Sequence, residues 1–190
     1  MAGIGHNHGP TMEPGHAWRR HCWGAARAAL LPKLPVEIVR LHVRRAAEIG
    51  LDYKTYAGVR ATTGHDIVAF LFSTNALRLH LDGQRLDEVR AARLAAMQAA
   101  RLVAVQPPIR PEGLAALLAA QGVAVDAAAR APGLVDGWRA TGARLSEMLR
   151  GAGVGRAGTV VVGETGLERE WVAAARLAAF LPAGRVFPAG

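Results

Sequence analysis

Residues 159–187 read TVVVGETGLEREWVAAARLAAFLPAGRVF. The uncharged, β-branched run at 159–162 predicts a buried strand, and the glycines of 163–166 predict a turn directly after it. A helix is predicted over 167–181, followed by a last short strand at 185–187. This strand–helix–strand order is typical of a parallel or mixed sheet covered by helices, so the sequence predicts the α/β class.

The clearest strand elsewhere is 66–72, DIVAFLF, which is almost continuously apolar and therefore expected to be buried on both faces. Residues 76–80 are expected to return as its hairpin partner. The first fifteen residues are rich in Gly, Pro and His and are expected to be a disordered tail, leaving a single α/β domain over 16–190. Further helices are predicted at 16–31, 36–49, 53–63, 85–105, 112–121 and 134–149.

The composition limits the cellular location that we expect for this protein. The chain has 190 residues, of which 51% are hydrophobic and only 5% aromatic. No uncharged run approaches the roughly 20 residues of a membrane span, and the N-terminus lacks the basic and apolar regions of a secretory signal. The lone cysteine, Cys22, excludes an internal disulfide and fits a reducing compartment. We therefore expect a cytoplasmic protein with no membrane span.

The positive charge is concentrated in the first third of the chain. The formal net charge is +8, and residues 1–65 carry nine basic and four acidic side chains. Because 21 of the 23 basic residues are Arg, part of this excess reflects codon usage rather than function. The excess nevertheless predicts a binding or regulatory protein whose basic N-terminal helices engage nucleic acid or an acidic protein. The residues predicted to make this contact are Trp18, Arg19, Arg20, Trp23, Arg27, Arg40, Arg44 and Arg45.

Two other interpretations of the aromatic residues in this region remain open. Trp18 can pack on the core while the neighbouring arginines face water. Trp18 and Trp23 can also be exposed together as the contact of a homo-oligomer, which would make the protein a structural subunit.

A different hypothesis places a polar site at the strand ends. Ser73 and Asn75 follow the strand at 66–72, and Glu164 follows the strand at 159–162. If the two strands are parallel neighbours, these side chains share one rim, as in a small α/β enzyme or nucleotide-binding protein. The sequence identifies no cofactor and no base beside Ser73 that would activate it. An ordinary turn explains the same residues.

Two observations argue against a ligand site, or against an anionic ligand, at these strand ends. Thr165 and Glu168 stand at the spacing of a capping box, which accounts for both residues without a ligand. Glu164, Glu168 and Glu170 would also repel an anion, so a metal or a cationic group suits this end better than a phosphate.

Two further patterns lack the context that their chemistry requires. Gly153, Gly155 and Gly158 match a dinucleotide-binding spacing, but they precede a predicted strand instead of following one. The histidines before Cys22 are accompanied by this one cysteine only, and they do not form a metalloprotease motif. No metal site is therefore predicted.

Overall fold

A computed structural model describes residues 34–188 and shows an α/β architecture, which confirms the predicted fold class. The strands are β1 (Ala69–Ser73), β2 (Ala100–Val105), β3 (Ala127–Arg130), β4 (Thr159–Gly163) and β5 (Ala179–Pro182). The helices are α1 (Val36–Glu48), α2 (Tyr53–Thr63), α3 (Glu88–Ala96), α4 (Pro111–Ala120), α5 (Trp138–Gly151), α6 (Gly166–Ala175) and α7 (Ala183–Val186). A 3₁₀ turn at Arg156–Gly158 leads into β4.

The five strands form one parallel sheet in the order β3-β2-β1-β4-β5. β1 is central, and all five of its residues are buried. Phe72 of β1 lies opposite Val103 of β2 on one side and Val162 of β4 on the other. The strands predicted at 66–72 and 159–162 are therefore direct neighbours.

Helices cover both faces of this sheet. Because side chains alternate along a strand, Phe70 and Phe72 enter one apolar cluster and Leu71 enters another. The Phe70 cluster includes residues of α1, α2, α3, α4 and α7. The Leu71 cluster includes residues of α5 and α6, among them the fully buried Trp171.

Local sequence signals start and stop several helices. The Asp52 carboxylate accepts from the Thr55 amide at the start of α2, and Gly64 ends that helix in a left-handed conformation. Asp87 caps α3 in the same way through the Arg90 amide. Thr165 and Glu168 form the predicted capping box of α6.

Four predicted elements differ from the structure: two strands do not form, and two helices end earlier than predicted. The segment 76–80 does not pair as a hairpin strand; it forms a turn in which the Leu79 amide donates to the Thr74 carbonyl. The helix predicted over 85–105 stops at Ala96, and β2 begins at Ala100 because the chain between them leaves the helix to pair with the sheet.

The end of the chain differs in the same way. The helix predicted over 167–181 stops at Ala175, because Arg176 adopts a left-handed conformation. β5 follows, and the strand predicted at 185–187 is instead part of a helical turn, α7. β3 was not predicted at all.

The predicted tail at 1–15 and the helix predicted at 16–31 lie outside the described residues. Within residues 34–188, every helix is too short or too polar to traverse a lipid bilayer.

Candidate ligand site at the strand ends

The order of the strands creates a crevice at the carboxyl ends of β1 and β4. The helices that connect β1, β2 and β3 pack on one face, and the two helices that flank β4 pack on the other. The chain therefore leaves β1 and β4 toward opposite faces. In open parallel sheets, ligands bind at such a reversal of strand order.

A cleft of about 420 Å³ occupies this position. It is lined by the loops that follow β1, β2, β3 and β4, each of which supplies at least one residue. The lining is mostly apolar, with three polar side chains and no charged one among the described residues. Its residues are Asn75, Gln106, Pro107, Pro132, Gly133, Leu134, Thr165 and Leu167.

Glu168 holds two polar side chains of the cleft in place by hydrogen bonds. This residue is fully buried in the first turn of α6. Its Oε1 accepts from Asn75 Nδ2 at 3.0 Å and from Gln106 Nε2 at 3.2 Å. Its Oε2 accepts from the amides of Glu164 at 2.7 Å and Thr165 at 2.9 Å. One carboxylate therefore ties together the loops after β1, β2 and β4.

These four bonds define what Glu168 can do. A carboxylate has about four lone-pair positions, so Glu168 has no acceptor left for a ligand and acts as a positioning residue. Three amides around the start of α6 have partners in the chain: Glu168 Oε2 accepts from those of Glu164 and Thr165, and Thr165 Oγ1 accepts from that of Glu168. A helix start of this kind commonly binds phosphate, but here a buried carboxylate lies beside it and would repel an anion.

Asn75 and Gln106 keep most of their hydrogen-bonding capacity. Each side-chain amide donates one N–H to Glu168. Each retains its second N–H and its carbonyl oxygen, for which the described residues supply no partner. Two neighbouring amides in one cleft thus offer two donors and two acceptors to a bound molecule.

Gly163, the last residue of β4, makes room for this arrangement. A Cβ at this position would lie 2.8 Å from Glu168 Oε2 and 2.8 Å from the Phe180 ring, closer than such atoms approach in proteins. Only glycine lets the carboxylate reach the strand end.

The structure separates the three side chains predicted at this rim. Asn75 lines the cleft. Ser73 is fully buried, and its Oγ accepts from the Ala76 amide at 3.0 Å, which holds the turn after β1. The Glu164 side chain is exposed and does not line the cleft, although its backbone amide contacts Glu168.

The described part of the predicted basic surface is divided. Arg40 and Arg44 are exposed on α1. Arg45 is held in place because its guanidinium donates to the Asp66 carboxylate at 3.2 Å and to the carbonyls of Gln98 and Ile67 at 3.1 Å each. The other five predicted contact residues lie outside the described part of the chain: Trp18, Arg19, Arg20, Trp23 and Arg27.

Sequence reasoning missed Gln106 and the second contribution of Glu168. Gln106 directly follows the apolar run at 102–105, which is the signal of a strand end, but the expectation of a helix over 85–105 concealed it. Glu168 was assigned a capping role, which it has, and its contacts to Asn75 and Gln106 depend on the order of the strands.

Within residues 34–188, no three His, Cys, Asp or Glu side chains are grouped as metal ligands. Comparison of the chain with protein-family models, with curated proteins and with solved structures finds no match.

Proposed function

We propose that this protein binds a small, uncharged, polar molecule in the strand-end cleft. The observation that carries the proposal is the pair of amides, Asn75 and Gln106, held side by side by the buried carboxylate of Glu168. Such support keeps the two amides in one orientation before a ligand arrives, which reduces the entropy lost on binding.

The ligand class follows from the chemistry of the lining. A side-chain amide pairs with a molecular edge that carries a donor beside an acceptor, as Asn and Gln do with adenine. Pro107, Leu134 and Leu167 supply apolar contacts for a flat face. The cleft volume of about 420 Å³ is within the usual range for small-molecule sites, about 300–1,000 Å³. A heterocycle or a primary amide fits this combination, whereas the buried carboxylate of Glu168 at the helix start disfavours a phosphate.

Binding of test compounds to the full chain, measured by isothermal titration calorimetry, tests the proposal. The probes are adenosine and nicotinamide, which carry the expected edge, and inorganic phosphate as the anionic counterpart. We expect adenosine or nicotinamide to bind. Gln106→Ala should weaken that binding about tenfold or more, since it removes a hydrogen-bonding group in a partly desolvated site.

A matched pair of surface variants protects the test from effects on folding. Leu134 lines the cleft and is 87% exposed, while its neighbour Val135 is 96% exposed and does not line it. We expect Leu134→Asp to weaken binding and Val135→Asp to leave it unchanged. Equal effects of the two variants, or no binding of either organic probe, would contradict the proposal.

A second candidate function is binding of nucleic acid or an acidic protein through the basic N-terminal helices. The exposure of Arg40 and Arg44 on α1 favours it, whereas internal contacts occupy the guanidinium of the partly exposed Arg45. This function would operate in the cytoplasm, with homo-oligomerisation through Trp18 and Trp23 as an addition. We expect nucleic acid to co-purify at low salt and to dissociate as salt rises. Protein that carries no nucleic acid at low salt, with absorbance typical of protein alone, would count against nucleic acid as the partner.

A further inference from the structure

A second cavity, of about 330 Å³, lies between α1 and α2 beside the chain that enters β1. It is at the opposite end of β1 from the strand-end cleft and shares no lining residue with it. Its lining is strongly charged. Three arginines, Arg44, Arg45 and Arg60, face two carboxylates, Glu48 and Asp66.

The two carboxylates are already engaged within the protein. Asp66 Oδ2 accepts from Arg45 Nε at 3.2 Å, and Asp66 Oδ1 accepts from the Tyr56 hydroxyl at 2.7 Å and from the Ile67 amide at 2.8 Å. Glu48 lies 3.4 Å from Arg45 Nη1. Arg45 thus contacts both carboxylates, and the three arginines and two carboxylates of the lining leave one net positive charge.

The remaining positive charge belongs to Arg44 and Arg60. Arg60 makes no ion pair with any acid of residues 34–188. Arg44 approaches Glu48 only at 3.8 Å, and its side chain is 73% exposed. Guanidinium groups bind carboxylate and phosphate with two parallel hydrogen bonds, so two arginines that line one cavity suit an oxyanion.

His42 contributes a polar surface to the same cavity. It is only 7% exposed, and its ring packs edge-on against Tyr56 with 5.6 Å between the ring centres. An imidazole carries at least one N–H in every protonation state, and the described residues supply no hydrogen-bond partner for it. The ring can therefore donate to an acceptor that enters the cavity from solvent, beside the two arginines.

We propose that this cavity binds an oxyanion, a phosphate or carboxylate group, between Arg44 and Arg60 with His42 as a further donor. The group comes either from a free small molecule or from the backbone of a nucleic acid. The site does not depend on the strand-end cleft. It shares Arg44 with the basic-surface candidate but does not require it.

Nuclear magnetic resonance titration of the full chain with inorganic phosphate and citrate tests the site. We expect Arg60→Gln to weaken the binding of either anion about tenfold, because a charge-assisted hydrogen bond is lost. Arg44→Gln, at a largely exposed side chain, should also weaken it and serves as a variant without structural cost. Arg150→Gln removes the same charge from an exposed position of α5 and should leave binding unchanged.

Addition of a short single-stranded oligonucleotide distinguishes the two sources. Binding of the oligonucleotide that depends on Arg60 supports a nucleic-acid phosphate, and Arg60-dependent binding of the small anions alone supports a free ligand. The proposal is overturned if no probe binds, or if Arg60→Gln and Arg150→Gln have the same effect.

Discussion

Glu168 has more hydrogen-bond partners than its position in a helix cap requires. Removal of its charge leaves buried donors without an acceptor, and each unsatisfied buried group costs about 1–3 kcal/mol. We therefore expect Glu168→Gln to lower the free energy of unfolding by about 2–4 kcal/mol, measured by urea denaturation. The glutamine amide offers a single acceptor and presents an N–H₂ group to donors that it cannot satisfy.

Glu170 supplies the control for this prediction. It lies on the same helix, but it is exposed. Glu170→Gln should change stability by less than about 0.5 kcal/mol, as is usual for surface substitutions. If the two variants are equally stable, the buried carboxylate does not hold the strand-end loops together.

Asp87 gives stability a dependence on pH. Partial burial raises the pKa of Asp87, but hydrogen bonds from the Arg90 amide and guanidinium, and the charge of that guanidinium, outweigh burial and hold the pKa below its ordinary value. The stabilising effect is therefore complete above the unfolded-state pKa, about 3.9, and is lost as pH falls through the lower folded-state pKa.

Asp87→Ala should consequently cost about 1 kcal/mol at pH 7, the usual effect of removing an N-cap. The difference between the two proteins should shrink as the pH falls below about 4. Urea denaturation at neutral and acid pH measures both values, and Asp87→Asn, which keeps a capping group without the charge, separates the two contributions. A difference that stays constant down to pH 2 would contradict the assignment.

The contact between α5 and α6 depends on a glycine. A Cβ added at Gly142 would run into the backbone carbonyl of Ala174, which cannot rotate away. We expect Gly142→Ala to lower stability by about 1–3 kcal/mol through forced separation of the helices, although alanine favours the helical state. Thermal or urea denaturation of the variant measures the change.

Gly151, at the end of the same helix, is the matched control. An added Cβ there meets no atom within 4 Å. Gly151→Ala should be neutral or stabilising by up to about 1 kcal/mol, since only the conformational preference changes. A stabilising Gly142→Ala would show that the two helices adjust at no cost.

Helices and strands were predictable to the extent that their signals are local. The caps of α2 and α6 use residues within one turn; α2 begins at the predicted residue, and α6 begins one residue before the predicted one. The segment 85–105 has no such break, because its alanines favour a helix throughout. What interrupts it is a tertiary contact: the Gln98 amide donates to the Glu48 carbonyl of α1, which lies far away in sequence.

The strand β5 shows the same limit. The helix before it ends at Arg176 in a left-handed conformation, a place where glycine would have given a visible signal. Without that signal, the apolar residues at 177–181 continue the helical pattern. Pairing with β4 decides their conformation.

For the molecule as a whole, the sequence predicted the α/β class, and one of its hypotheses required the two strand ends to meet and included Asn75 among the candidates. It did not predict Gln106, because that residue becomes part of the site only once β2 is recognised as a strand beside β1. The strand order, which brings four loops together, is a property of the complete sheet. No short sequence motif predicts it.

The central position of β1 also has a consequence for synthesis of the chain. Ala69 pairs with Ala100 on one side, but on the other side it pairs with Thr159, which the ribosome adds 90 residues later. During translation, β1, β2 and β3 can associate while the second edge of β1 has no partner. That edge is apolar and fully buried in the finished protein, so a stalled or truncated product that ends before β4 exposes a strand prone to aggregation. We therefore expect the nascent chain to be most prone to aggregation between the synthesis of β3 and that of β4.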